Sequence, residues 1–204
     1  DDNRNGALDE AEIDGTESIC NGADLTADDV FKLQLLHFAD IDGAGGIDDV
    51  RNFSALVDGF RSQYPENTLL VSSGDNLIPG PEFFGAEDDS MAEVLGVPGP
   101  GRAHIAWLNA MGLQASALGN HDLDASPEDL AELIATEGQW PGAEFPYLAA
   151  NVDFSESALA DQVVEDGQLV QSNTVSGSAT VQVGDQTIGL VGASVPSLPS
   201  ITNT

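Results

Sequence analysis

The chain reads as an α/β protein. Three observations predict this class. Short apolar runs alternate with segments of helical period in the order β-α-β-α-β-α-β, followed by a hairpin. Gly, Pro and Asp punctuate the boundaries. The first three apolar runs each stop in residues with side-chain oxygens. Alternation of this kind is satisfied by strands joined through crossover helices. With 204 residues, 41% of them hydrophobic, the chain can build one large domain with a real core.

Residues 1–30 are polar, acidic and poor in large apolar side chains, so the fold is expected to start at Phe31. Residues 31–39 (FKLQLLHFA) read as a buried strand. Residues 48–64 place Val50, Phe53, Leu56, Val57 and Phe60 at helical spacing, with Asp48 and Asp49 at the start and Pro65 past the end. Residues 68–72 (TLLVS) form the second strand. Residues 76–101, rich in Gly and Pro, read as a long loop with one helical turn near 91–95. A helix over 102–111 is closed by Gly112. Residues 115–118 make a short third strand. Ser126 then suits an N-cap and Pro127 the first helical position, for a helix to about residue 136. Residues 147–152 (YLAANV) read as a fourth strand. Residues 179–183 and 187–193 follow as a hairpin around Gly184-Asp185.

The charge balance is extreme: 35 acidic residues against 5 basic ones, net −30. Such a chain repels nucleic acid and anionic membrane. No apolar run approaches the ~20 residues of a membrane helix. An Asp- and Glu-rich surface fits an extracellular or periplasmic, marine or high-salt setting, where carboxylate repulsion is screened. The single Cys20 cannot form an internal disulfide. The opening residues do not have the basic-then-apolar pattern of a signal peptide.

The chemistry lies at the strand ends. Asp40-Ile41-Asp42-Gly43 follows the first run, Gly74-Asp75-Asn76 the second, and Gly119-Asn120-His121-Asp122-Leu123-Asp124 the third. Ligand sites of open α/β sheets lie beyond the carboxyl ends of the strands. Asp40, Asp42 and Asp75 offer hard oxygen ligands, and Asn120 a carbonyl oxygen. A pair of divalent ions about 3.5–4 Å apart needs a shared carboxylate and favours phosphoryl displacement. Asp75, on the middle strand, is the natural bridge. His121 is placed to donate to a leaving oxygen or to stabilise phosphoryl charge. Asp124 is near enough to orient its imidazole. Alone, Asp-x-Asp-Gly is usually a turn, and Gly-Asp after a strand is common. The conjunction of all three in this order points to a metal-dependent hydrolase.

These segments resemble the N-terminal catalytic domain of the 5′-nucleotidase group within the calcineurin-like metallophosphoesterases. The matching stretches are LQLLHFADIDG (33–43), LLVSSGDN (69–76), ALGNHDLD (117–124), FPYLAANVDF (145–154) and IGLVGAS (188–194). The resemblance implies a two-sheet β-sandwich flanked by helices, in four layers, with a dinuclear metal centre. It implies Asp40 as a ligand of one metal, Asp75 as the bridging carboxylate and Asn120 as a ligand of the second. It gives His121 and Asp124 the catalytic roles, and it gives Asp122 no direct ligand role. Two features depart from the family. Asp42 stands where a histidine is usual, which favours Mn²⁺, Mg²⁺ or Ca²⁺ over Zn²⁺. The family also draws histidine ligands from a later Gly-His-x-His region, whereas this chain has only His37, His104 and His121. The numbered chain is therefore expected to be part of a longer polypeptide, its domain over 31–204 incomplete on the C-terminal side. His37 reads as packed and hydrogen-bonded, and His104 as structural or surface. Trp107 and Met111 read as core, and Phe83-Phe84 as pocket rim or core.

Residues 1–12 carry a second signal. They fit the EF-hand loop pattern at every fixed position. Asp1, Asn3, Asn5, the Ala7 carbonyl, Asp9 and Glu12 would surround one Ca²⁺, with Gly6 at the sharp turn. Residues 1–30 are thus expected to be a calcium loop and acidic linker. The function expected is hydrolysis of a small phosphate ester such as a nucleotide. The alternative is a non-catalytic, acidic, calcium-binding structural or adhesive protein on the same fold.

Overall fold

The computed structural model describes residues 30–41 and 46–202. Its strands and helices lie within the unit Leu33–Thr204. The first apolar runs form adjacent parallel strands: β1 (Gln34–Phe38), β2 (Thr68–Ser72), β3 (Ala115–Ala117) and β4 (Tyr147–Leu148). Two further strands follow, β5 (Gln168–Leu169) and β6 (Val175–Ser176), and β6 pairs with β4 to complete this sheet in the order β1-β2-β3-β4-β6. The hairpin β7 (Ser178–Val183) and β8 (Gln186–Val191) joins β5 in a second sheet, ordered β5-β7-β8. Fold class and two-sheet architecture agree with expectation.

Parallel strands added in sequence order on one side, joined by crossover helices of one hand, put those helices on one face of the sheet. The packing shows this. Phe38, Leu70 and Tyr147 share a core with Val57 of helix Gly46–Arg61, Ile105 and Leu108 of helix Arg102–Ala110, and Leu130 and Ile134 of helix Pro127–Ile134. The other face receives the second sheet, where Ala115 and Leu148 meet Ala179, with Val170 and Leu190 against them. Tyr147 and Leu148 thus bury into opposite cores, as alternate strand residues must.

Several boundaries differ from expectation. Within residues 76–101 the expected helical turn is present as helix Ala92–Leu95, but the segment also holds helix Pro81–Gly85 and a 3₁₀ turn at Asp89–Met91. Elements of three to five residues are too short to display a 3.6-residue period. Asp88 does carry a local signal, its carboxylate accepting the Ser90 N–H at 2.9 Å. The fourth strand is two residues long because the chain changes partners. Ala149 still donates to Ser176, but Ala150 donates to Gly192. Helix Pro127–Ile134 starts as expected, with the Asp129 N–H on Ser126 Oγ at 3.0 Å, and ends two residues early. Trp107 Nε1–H donates to the Met111 sulfur at 3.2 Å, and Met111 is buried in the core, as expected. Among the described residues no helix is long and apolar enough to cross a membrane.

His104 is buried on helix Arg102–Ala110 beside Phe83, with ring centroids 6.3 Å apart. Burial holds its pKa below the ordinary imidazole range, with the Glu82 charge opposing. In the unfolded chain His104 regains its ordinary value. Below that value the unfolded state binds the extra proton, so this residue's contribution to stability falls as pH falls. His104→Gln is therefore expected to match the parent at pH 7.5 and to lose less stability than the parent on going to pH 5. Paired chemical denaturation at the two pH values checks this, and the pairing cancels the contribution of the many carboxylates.

Candidate active site

The parallel register makes the site. Phe38 aligns with Ser72, and Ser72 with Ser116. Asp40, Asp75 and Asn120 therefore lie two, three and four residues beyond a common level of three adjacent strands, which run about 4.8 Å apart. Backbone contacts close the gaps. The Asp40 N–H donates to the Gly74 carbonyl at 3.3 Å. The His121 N–H donates to Asp75 Oδ1 at 2.8 Å. Asp40 and Asp75 both sit at φ 54°, in the left-handed region that non-glycine residues rarely adopt. Such outliers persist where the surroundings hold them, often at functional sites. The loops pack so closely that a Cβ on Gly119 would lie 2.2 Å from Asp75 Oδ1 and 2.3 Å from Asp75 N.

The third loop opens into a 3₁₀ turn, His121–Leu123, with Leu123 N–H on the Asn120 carbonyl at 3.2 Å. This turn carries His121 Nδ1 to 2.6 Å from Asp124 Oδ2. A carboxylate at Nδ1 fixes the proton there and leaves Nε2 as the nitrogen that exchanges protons with a ligand. The imidazole is 40% exposed, so it can meet one. The expected His121–Asp124 pair is therefore formed.

Four residues of this region had no role in the sequence reading. Asp122 is buried and accepts backbone N–H groups from Asn76 (2.9 Å), Gly119 (2.9 Å) and Asp75 (3.1 Å). Burial raises its carboxyl pKa to about 7, opposed by the N–H groups of Gly119 and Asn76 and reinforced by the Asp75 charge. Asn76, fully buried, accepts the Ser72 hydroxyl at 2.7 Å and donates to Ser116 Oγ at 2.8 Å. Ser194 places its hydroxyl on the Leu118 carbonyl, and Asn151 holds the Ser194 backbone by two hydrogen bonds of 2.9 Å. Asn76 and Asp122 stood inside the quoted motifs. Each stands in a polar, turn-like stretch just past a strand, which gives no sign that its side chain is buried.

Other expectations resolve differently. Asp42 lies outside the described residues, as do Asp1, Asn3, Asn5, Ala7, Asp9 and Glu12 of the calcium pattern. Among the described residues no group of three or more His, Cys, Asp and Glu side chains is arranged to hold a metal ion. His37 is hydrogen-bonded as expected, to Ser73 Oγ at 2.5 Å, but it is exposed rather than packed. Phe83 belongs to the core and Phe84 is 54% exposed. Asp40, Asp75 and Asn120 thus lie on three loops that hydrogen bonds from backbone N–H groups tie together. All three residues offer hard oxygens, of the kind that binds Mg²⁺, Mn²⁺ or Ca²⁺.

A stretch of 137 residues, 67% of this chain, is 32% identical to the 5′-nucleotidase of Homo sapiens. The chain is 5′-nucleotidase-like. The 5′-nucleotidase of Bos taurus is 31% identical over 97 residues, 48% of this chain and 14% of its own length. The fold agrees: a 5′-nucleotidase precursor from Thermus thermophilus superposes on 85% of the chain with a TM-score of 0.58 and 25% identity, the match covering 30% of that structure. A Haemophilus influenzae NAD nucleotidase shares the fold at TM-score 0.53 and 19% identity, covering 84% of this chain and 28% of its own. No protein-family model matches the chain. This 5′-nucleotidase-like chain spans 19% of the length of its human relative.

Proposed function

We propose that the chain belongs to a metal-dependent phosphohydrolase and carries most of the phosphate-ester site, with a nucleotide as substrate. The observation that supports this most is the joining of three loops at Asp40–Gly74 and Asp75–His121, with the His121–Asp124 pair beside them. Two divalent ions bound there would supply Lewis acidity, activating water and neutralising phosphoryl charge. The donors suit such ions in kind. Asp40, Asp75 and Asn120 would hold them together with Asp42, Asp75 serving as the bridge. A chain of net charge −30 would otherwise repel a phosphate dianion, so cation binding also makes substrate capture possible. His121, steered by Asp124, would donate from Nε2 to the leaving oxygen or to a phosphoryl oxygen. In the same reading, residues 31–204 form the phosphoesterase unit. Residues 1–30 precede it with a Ca²⁺ loop of Asp1, Asn3, Asn5, Ala7, Asp9 and Glu12.

The test is phosphate release from nucleoside 5′-monophosphates by the intact protein with Mn²⁺. Release is expected to stop on chelation, to return with metal, and to be absent in Asp75→Asn at any metal concentration. An intact, metal-loaded protein that hydrolyses no phosphate monoester, yet assembles with calcium, would establish the structural alternative. For the loop, calorimetric Ca²⁺ titration should show one site lost in Glu12→Gln, and retention of that site in the variant would refute it.

A further inference from the structure

Asp122 is 4% exposed and directs both carboxylate oxygens at backbone. Oδ1 takes the Asn76 N–H, while Oδ2 takes those of Asp75 and Gly119. These amides belong to two loops, one after β2 and one after β3. Asp75 is held twice between them. Its backbone N–H is bound by Asp122, and its side-chain Oδ1 by the N–H of His121, the residue next to Asp122. A single buried side chain therefore grips the amide of the residue whose carboxylate is the proposed metal bridge. Asn76 extends the grip, since its side chain joins Ser72 on β2 to Ser116 on β3.

We propose that Asp122 is a positioning residue, which sets where the Asp75 carboxylate stands relative to Asn120 and His121. This deepens the metal reading above and rests on it for the roles of Asp75 and Asn120. The chemistry calls for a carboxylate. All three partners are donors, and an amide in its place would turn N–H towards N–H on one side. A glutamate keeps the charge but adds one bond of about 1.5 Å to a site with no slack. Displacements of about 1 Å at a reacting centre can cost about 10²-fold.

Asp122→Asn and Asp122→Glu are compared with Ile105→Ala, a core truncation on helix Arg102–Ala110 that serves as a stability-matched control. The control separates positioning from plain structural support. Two readouts are taken on the intact protein: Mn²⁺ affinity by calorimetry, and hydrogen exchange of the His121 amide, which bonds Asp75 and not Asp122. Both Asp122 variants are expected to lose at least tenfold in Mn²⁺ affinity and tenfold in His121 amide protection beyond the control. The charge-retaining Asp122→Glu protein supplies both readouts should Asp122→Asn fail to fold. The inference is overturned if affinity and protection fall no further than in Ile105→Ala. If the parent itself binds no Mn²⁺, the metal reading fails, and exchange at His121 still decides whether Asp122 positions Asp75.

Discussion

Gly119→Ala is expected to lower the melting temperature by about 10 °C and to remove phosphohydrolase activity together with Mn²⁺ binding. The new methyl group would lie 2.2 Å from Asp75 Oδ1 and 2.3 Å from Asp75 N. One of these neighbours is backbone, so the clash cannot be relieved by turning a side chain. Separating the two loops strains or breaks three hydrogen bonds at once: His121 N–H to Asp75, and the Gly119 and Asp75 N–H groups to Asp122. Overpacking costs about 1–3 kcal/mol, and each buried group left unpaired costs about 1–3 kcal/mol more. With one group left fully unpaired and the other two bonds only stretched, the total is about 2–6 kcal/mol, a large share of a typical stability of about 5–15 kcal/mol. For a chain of this size, at about 2–4 °C per kcal/mol, the middle of that range corresponds to about 10 °C. Gly59→Ala is the counterpart. Gly59 lies in helix Gly46–Arg61 with no positive φ, and a Cβ added there would meet nothing within 4 Å. This substitution should stabilise by about 0.5–1 kcal/mol through the better helix propensity of Ala. A thermal melt of both variants checks the pair, and a Gly119→Ala protein as stable as the parent would refute the close approach of the two loops.

The same contacts show what a linear sequence discloses and what it hides. The three loops at the strand ends were legible because each apolar run is long enough to read and each ends in oxygens. Parallel pairing does the rest: once Phe38, Ser72 and Ser116 are level, the loops must meet. The His121–Asp124 pair was legible because a 3₁₀ turn brings residues three apart onto one side. What stayed hidden depends on partners distant in the chain. Asp122 looks like one more acid in a very acidic protein until the amides of residues 75, 76 and 119 are seen around it. Ser194 is 76 residues from Leu118, and no local pattern connects them. The short strands β5 and β6, of two residues each, show no alternation because alternation needs length. His37 was read as packed because it lies in an apolar run. Alternate strand residues face opposite ways, and its side of β1 is exposed.

His121→Ala is expected to reduce kcat for nucleoside 5′-monophosphates by about 10²–10⁴-fold, the range for loss of a positioned acid or base. The melting temperature should change little, because the imidazole is 40% exposed and packs in no core. Asp124→Asn should cost less. It keeps a polar group near Nδ1 but removes the negative acceptor that fixes which nitrogen carries the proton, so His121 would sample the wrong tautomer part of the time. The leaving group separates the two roles open to His121. A nucleoside alkoxide departs only with a proton, whereas p-nitrophenolate departs readily without one. If His121 protonates the leaving oxygen, the loss in His121→Ala should shrink at least tenfold with p-nitrophenyl phosphate. If it instead stabilises charge on the phosphoryl oxygens, the loss should be equal for both substrates. Full activity of His121→Ala on both would remove the residue from the chemistry and leave its ion pair with Asp124 as a cap on the 3₁₀ turn.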